Sequence, residues 1–235
     1  MKIVRFRDHD NEINFGLHQE DDKVALLHGN PYERIEAGPI VGSLQDLNLC
    51  SPVAPSKIIA VGLNYKLHAA EVGMDPPEFP MFFYKPPTSV IGPKDTIRLP
   101  KISEHVEYEC ELAVVIGERC SQVSVDTALE YVFGYTCGND ISARDWQRRE
   151  TQWVRGKGFD TFLPLGPCIE TNLDPTQAQV STRVNGEVKQ SSSTSDLIFP
   201  VDQLISELSA IMTLLPGDII VTGTPAGVGP IRHGD

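Results

Sequence analysis

The sequence has no Cys-x-x-Cys pair, no apolar run near the roughly 18 residues of a membrane span, no repeat of roughly 20 to 50 residues, and no basic excess. Each absence removes a class. Its five cysteines are an odd number spread along 235 residues, which argues against a disulfide framework and against a thiolate zinc site. Cys110 and Cys137 are therefore expected to be small core residues. With 20 lysines and arginines against 32 aspartates and glutamates, the net charge of -12 disfavours phosphate backbones and anionic membrane surfaces. Neither nucleic acid nor a membrane is an expected partner. A small anionic substrate stays compatible if a metal and a few local cations hold it. The N-terminal stretch from Met1 to Asp8 has no long apolar segment, so the cytoplasm is the expected location.

What is present suits a globular protein, since a 40% hydrophobic content is enough to bury a core in one large domain with a small appendage. Residues 1–54 read as a small β module, with strands at Lys2–Arg7, Ile13–Leu17 and Lys23–Leu27 separated by turn-forming residues. Ser51-Pro52-Val53-Ala54-Pro55-Ser56 has the composition of a boundary, and residues 55–235 form the main domain. There, a buried strand at Lys57–Gly62 runs into a short helical segment at Asn64–Glu71. Strands are expected at Met81–Tyr84, Thr96–Leu99 and Glu107–Ile116, followed by a short helix from Val125 to Tyr131 that Ser124 can cap. Asn185-Gly186 signals a hairpin, and Leu204, Ile205, Leu208, Ile211 and Met212 give the apolar face of a helix over 201–212. Pro216-Gly217-Asp218 feeds a strand, whereas the similar Arg232-His233-Gly234-Asp235 feeds nothing, so the C-terminal end is expected to be truncated.

The chemistry centres on Glu107-Tyr108-Glu109-Cys110-Glu111. On a continuous strand the three glutamates share one face, and the Cβ atoms of Glu109 and Glu111 lie roughly 6 to 7 Å apart. Such a face is either solvated or holds a cation, and oxygen ligands suit Mg²⁺, Mn²⁺ or Ca²⁺. A third oxygen must come from elsewhere. Asp140, in a loop after a buried strand, is the best candidate, though turn aspartates also bond their own backbone. His68 and Glu71 share a helix face, where a carboxylate can orient an imidazole as a general base or simply form a surface contact. Arg144 and Gln147 follow Asp140 on one side of a helical turn. Lys157 lies among small residues that allow close approach to a ligand, or is an exposed loop lysine paired with Asp160. Gly223-Thr224-Pro225-Ala226-Gly227 lacks a phosphate loop's Gly-Lys-Ser/Thr ending and reads as a tight turn presenting Thr224.

Taken in order, Gly62-Leu63-Asn64-Tyr65 with His68 and Glu71, Tyr108-Glu109-Cys110-Glu111-Leu112, Asn139-Asp140-Ile141-Ser142-Ala143-Arg144-Asp145, and Lys157-Gly158-Phe159-Asp160 form a recognisable series. Val184-Asn185-Gly186, Leu215-Pro216-Gly217-Asp218 and Gly223-Thr224-Pro225-Ala226-Gly227 complete it. From Lys57 onward the chain resembles the fumarylacetoacetate hydrolase superfamily. The resemblance implies a mixed β (α+β) fold, a β-sandwich roll behind a small N-terminal module, and a homodimer. It implies Mg²⁺ or Mn²⁺, with Ca²⁺ as a substitute, on Glu109, Glu111 and Asp140, leaving Glu107 out. It assigns His68, Glu71, Lys157 and Gln147 to catalysis and Arg144, Thr224 and Lys85 to the substrate, with the His68 segment acting as a lid. The substrate class is a 2-oxo acid. The expected reaction is hydrolysis of a C–C bond in an acylpyruvate-type 2,4-dioxo acid, with oxaloacetate-type decarboxylation and keto-enol or double-bond isomerisation as alternatives on the same site. An inactive, metal-binding structural dimer is the reading from another class. Leu63 stands where many members carry arginine, which removes one carboxylate contact.

Overall fold

The computed structural model describes all 235 residues. Five strands come first: β1 (Lys2–Arg7), β2 (Ile13–His18), β3 (Lys23–Leu27), β4 (Ala37–Ser43) and β5 (Asn48–Leu49). They are followed by β6 (Ile58–Gly62), α1 (Lys66–Glu71), β7 (Met81–Lys85), β8 (Val90–Ile91), β9 (Val106–Tyr108), β10 (Cys110–Ile116), β11 (Val132–Asn139) and β12 (Ser142–Ala143). Two short helices, α2 (Arg144–Gln147) and α3 (Val154–Lys157), lead into β13 (Leu163–Glu170) and the ribbon of β14 (Gln179–Val184) and β15 (Glu187–Ser193). The chain ends with α4 (Val201–Ile211), β16 (Ile219–Val221) and β17 (Gly229–Pro230).

Ten strands follow one another in the order β4-β3-β2-β1-β13-β11-β10-β16-β6-β7, with β5 and β8 joined to the side. The central strands are apolar on both faces because both are covered. Ile59, Val61, Leu112, Val114 and Ile220 pack on one side with Leu204, Ile205 and Leu208 of α4. Ile58, Ala60, Ala113, Val115, Ile219 and Val221 pack on the other. β9, β12 and β17 form a separate three-stranded sheet. The fold is the mixed, strand-dominated class expected. The N-terminal strands extend the main sheet, with β1 antiparallel to β13 through Lys2–Glu170 and Ile3–Ile169.

Four local expectations are corrected. The 107–116 run is two strands in two sheets: the Glu109 N–H turns to the Asn139 side chain (3.0 Å) and its carbonyl to the Asp140 N–H (2.8 Å), which breaks the ladder. Residues 96–99 form no strand, and the Arg98 N–H donates to Thr161 Oγ1 (2.9 Å). The short helix at Val125–Tyr131 lies where expected, as a 3₁₀ helix, but Ser124 bonds the Thr127 hydroxyl (3.1 Å) rather than capping it. Cys110 is buried as expected, but Cys137 is exposed, because the β14–β15 ribbon leaves a cavity of about 570 Å³ over β11 and β13 that Cys137 lines.

Register decides where the site lies. β6 and β16 are parallel, and β10 runs antiparallel to β16 and β11. The C-terminal ends of β6, β11 and β16 therefore meet the start of β10, bringing residues 64–71, 139–140 and 222–227 beside Glu109–Glu111. Asn64 holds the junction: its amide donates to the Phe199 and Thr222 carbonyls (3.0 and 2.7 Å) and its oxygen accepts from the Phe199 N–H (2.8 Å), all buried. Gly223 packs against it with φ of +97°, where a Cβ would come within 2.7 Å of the Asn64 Cβ. Truncating Asn64 leaves buried polar groups unpaired at a cost of about 1–3 kcal/mol each. Asn64→Ala is expected to lower the unfolding midpoint by about 6–12 °C, as read by circular dichroism. A shift under about 2 °C would contradict this role.

Candidate active site

Glu109, Glu111 and Asp140 are all buried, and one carboxylate oxygen from each lies within 4.8 Å of the others. Burial rules out the solvated-face reading of the glutamate run. Three cations surround the group. Lys157, only 2% exposed, bridges Glu109 Oε2 (2.7 Å) and Asp140 Oδ2 (2.6 Å), so Asp160 is not its partner. Lys85 donates to Asp140 Oδ1 (2.6 Å) and to the Lys157 carbonyl. Arg144 donates to Glu107 Oε2 (2.6 Å), to Glu109 and to Gln147 Oε1 (2.7 Å). Glu107 also contacts His105 Nε2 at 2.8 Å. The helical turn of α2 therefore brings Arg144 and Gln147 together, and α3 carries Lys157 inward.

Four carboxylates thus face three basic side chains, and the unmatched one is Glu111. Its only hydrogen bond comes from the Gly223 N–H (2.7 Å). Burial pushes its carboxyl well above the ordinary range, and the charges of Asp140 and Glu109 add to the rise more than Lys157 and Gly223 oppose it. Burial also works against ionised Glu109, but Lys157 and Arg144 outweigh it and hold that carboxyl near 2. Burial lowers Lys85, with Asp140 partly opposing it, whereas Asp140 and Glu109 raise Lys157 despite its burial.

A second pair stands beside this network. His68 Nδ1 meets Glu71 Oε2 at 2.8 Å, and the Gly227 N–H holds the Glu71 carboxylate at 3.0 Å. α1 is docked, its entry fixed by the Leu67 N–H to Asp196 Oδ2 (3.0 Å). The 223–227 loop links the two groups through Gly223 on Glu111 and Gly227 on Glu71. Thr224 does not present a free hydroxyl: it donates to the Cys110 carbonyl (3.0 Å) and accepts from Gln190 Nε2 (2.7 Å). Gln190 also accepts from the Cys110 N–H (2.9 Å), a supporting role that nothing in the polar stretch Glu187–Ser193 announces. Lys85, assigned to the substrate by resemblance, is 1% exposed and braces Asp140. Asn139 is a second supporter that the sequence reading passed over, although it sits in the same motif as Asp140.

A family model described as fumarylacetoacetate (FAA) hydrolase C-terminal matches residues 57–235, and a second, Rv2993c-like, N-terminal, matches residues 1–52. The chain belongs to the fumarylacetoacetate hydrolase family. It is 44% identical over 198 residues to the mitochondrial oxaloacetate tautomerase Fahd2a of Rattus norvegicus, covering 83% of this chain and 63% of that protein. It is similar to the 2-hydroxyhepta-2,4-diene-1,7-dioate isomerase of Mycobacterium marinum (TM-score 0.90, 41% identity, 100% of this chain and 91% of that one). The 5-carboxymethyl-2-hydroxymuconate delta-isomerase of Mycobacterium smegmatis is another neighbour (TM-score 0.89, 45% identity, 98% and 91%).

This fumarylacetoacetate hydrolase family chain is an enzyme, and the family is typically dependent on a divalent metal. Its residues suit one. Three convergent, hard carboxylate oxygens match the preferences of Mg²⁺ and Mn²⁺, and Glu111 is a buried carboxylate with no cationic partner. No helix is long and apolar enough to cross a membrane.

Proposed function

We propose that the enzyme acts on a 2-oxo acid with the help of a divalent cation held by Glu109, Glu111 and Asp140, interconverting keto and enol forms or shifting a conjugated double bond. The observation that carries this reading is the buried Glu111 carboxyl, lacking a cationic partner and joined through the 223–227 loop to a histidine already oriented by Glu71. A Mg²⁺ or Mn²⁺ ion held by Glu109, Glu111 and Asp140 would supply Lewis acidity that favours the enolate form of the substrate. The residues supply the rest. With Nδ1 engaged by Glu71, His68 presents Nε2 as the base that takes a proton from the carbon next to C2, while the C–H electrons form the new double bond and the C2 oxygen gains the charge. Lys157 keeps one N–H beyond its two carboxylate bonds, and Gln147 keeps its amide N–H groups because only its oxygen is bonded to Arg144. These donors stabilise the developing oxyanion. His68 then returns the proton to the product carbon or oxygen.

Hydrolysis of an acylpyruvate is the second reading. The His68–Glu71 pair favours it because the same oriented imidazole can take a proton from water attacking C4. Assays of oxaloacetate enolisation, 2-hydroxy-diene-dioate isomerisation and acylpyruvate cleavage, each with Mg²⁺ and with EDTA, separate the readings. Enolisation or isomerisation lost in EDTA supports the first; cleavage alone supports the second. Turnover undiminished by EDTA would overturn both. His68→Ala is expected to reduce turnover by about 10²- to 10⁴-fold with Mg²⁺ affinity unchanged by calorimetry. A normal rate in that variant would contradict its role as base. A homodimer is proposed as well, and light scattering at twice the chain mass would support it.

A further inference from the structure

A second cavity, of about 490 Å³, lies where the N-terminal strands meet the segment after Lys85, and none of Glu109, Glu111, Asp140, His68 or Lys157 lines it. Arg5 and Arg7 do. They alternate on β1 with Phe6, which packs into the small N-terminal core with Val4 and Val24, so both arginines lie on the opposite face. Neither has a carboxylate within salt-bridge distance, although the chain carries 32 acidic residues. Arg5 gives one N–H to the Ser51 carbonyl (3.3 Å) and Arg7 one to the Asn11 carbonyl (2.9 Å). A guanidinium has five N–H donors, so most of each fork is free. Asp95 is the one acidic residue on the wall, and its Oδ2 is engaged by the Gly92 N–H (2.8 Å). The remaining wall mixes polar groups with the aliphatic side chains of Ile13, Leu49 and Val90.

We propose that this cavity is a second ligand site, separate from the carboxylate cluster, for a small organic anion that offers a carboxylate or phosphate to Arg5 and Arg7 and a compact apolar body to the aliphatic side chains of the wall. The volume suits a small molecule. Paired guanidinium forks match carboxylate and phosphate oxygens better than any other chemistry. The occupant would bridge the N-terminal strands and the segment that follows Lys85, which itself braces Asp140.

The test is calorimetric titration of the full chain in Mg²⁺ buffer with phenyl phosphate and with benzoate, in a Glu111→Gln background so that the carboxylate site does not contribute. Saturable one-site binding of either probe is expected, weakened about tenfold or more by Arg5→Gln and by Arg7→Gln. The better probe identifies the head group. No saturable binding, or binding unchanged in the double Arg→Gln variant, overturns the proposal. Should the Gln variants unfold, crystals of the full chain soaked in 4-bromobenzoate give an independent readout. Bromine signal in the cavity beside Arg5 and Arg7 supports the site, and its absence there overturns it.

Discussion

Glu111→Gln is expected to abolish metal-dependent turnover, by about 10³-fold or more, while making the metal-free protein more stable at neutral pH. The two effects have one cause. Glu111 is a buried carboxyl raised above its ordinary value, 4.5, by burial and by the charges of Asp140 and Glu109. A carboxyl raised on folding binds its proton more tightly in the folded state, so stability falls as pH rises above the ordinary value and the full penalty is reached above the raised one. Glutamine keeps an oxygen for the Gly223 N–H and carries no charge, so the penalty disappears. Losing an anionic oxygen removes one of three proposed ligands. Thermal unfolding in EDTA across pH 5 to 8 should therefore show the wild-type midpoint falling relative to the variant, and added Mg²⁺ should stabilise only the wild type. A variant that is less stable without metal, or that still gains from Mg²⁺, would contradict the assignment.

Lys157→Met is expected to have the opposite sign in the metal-free protein. The ammonium bridging Glu109 and Asp140 is removed, while the backbone carbonyl that accepts from Lys85 remains. Breaking a buried ion pair from one side costs about 3–5 kcal/mol, because the abandoned charge stays desolvated. For a chain of this size, the unfolding midpoint in EDTA should drop by about 6–20 °C. The sign with pH follows from Glu109: its carboxyl lies near 2, so the stability it contributes is present above the ordinary value of 4.5 and lost as pH falls toward 2. In Lys157→Met much of that contribution is gone at pH 7. Mg²⁺ should recover part of the loss, since a divalent cation at the same carboxylates replaces the missing charge. A midpoint within about 2 °C of wild type would show that Lys157 does not hold the pair.

The opposite responses explain why some of the site was legible in the sequence and some was not. Glu109, Glu111 and Asp140 stand in short motifs with the right chemistry, and the strands that deliver them are apolar runs such as Ile58–Gly62 and Cys110–Ile116. The hairpin at Asn185-Gly186 and the apolar face of α4 follow from local pattern in the same way. The interruption at Glu109 does not, because it depends on Asn139, 30 residues away. Nor does the burial of Lys85: Phe83-Tyr84-Lys85-Pro86 reads as an ordinary strand end, and only the fold places its ammonium against Asp140. Arg144 and Thr224 have the residue types of substrate contacts, yet their polar groups are engaged within the protein by Glu107, Glu109, Gln147, Gln190 and Cys110. Residue type announces chemistry, whereas the partner that uses it is set by contacts far apart in the chain.

Glu109, Glu111 and Asp140 form the centre at which a divalent cation is proposed to bind. A crystal structure of the wild-type enzyme with Mg²⁺ and oxalate, a two-oxygen mimic of an enolised 2-oxo acid, tests that proposal directly. The expected result is one ion bonded at about 2.0–2.1 Å by an oxygen from each of Glu109, Glu111 and Asp140, with two oxalate oxygens and one water completing an octahedron. Lys157 alone between Glu109 and Asp140, with no ion at Glu111 under saturating Mg²⁺, would contradict it.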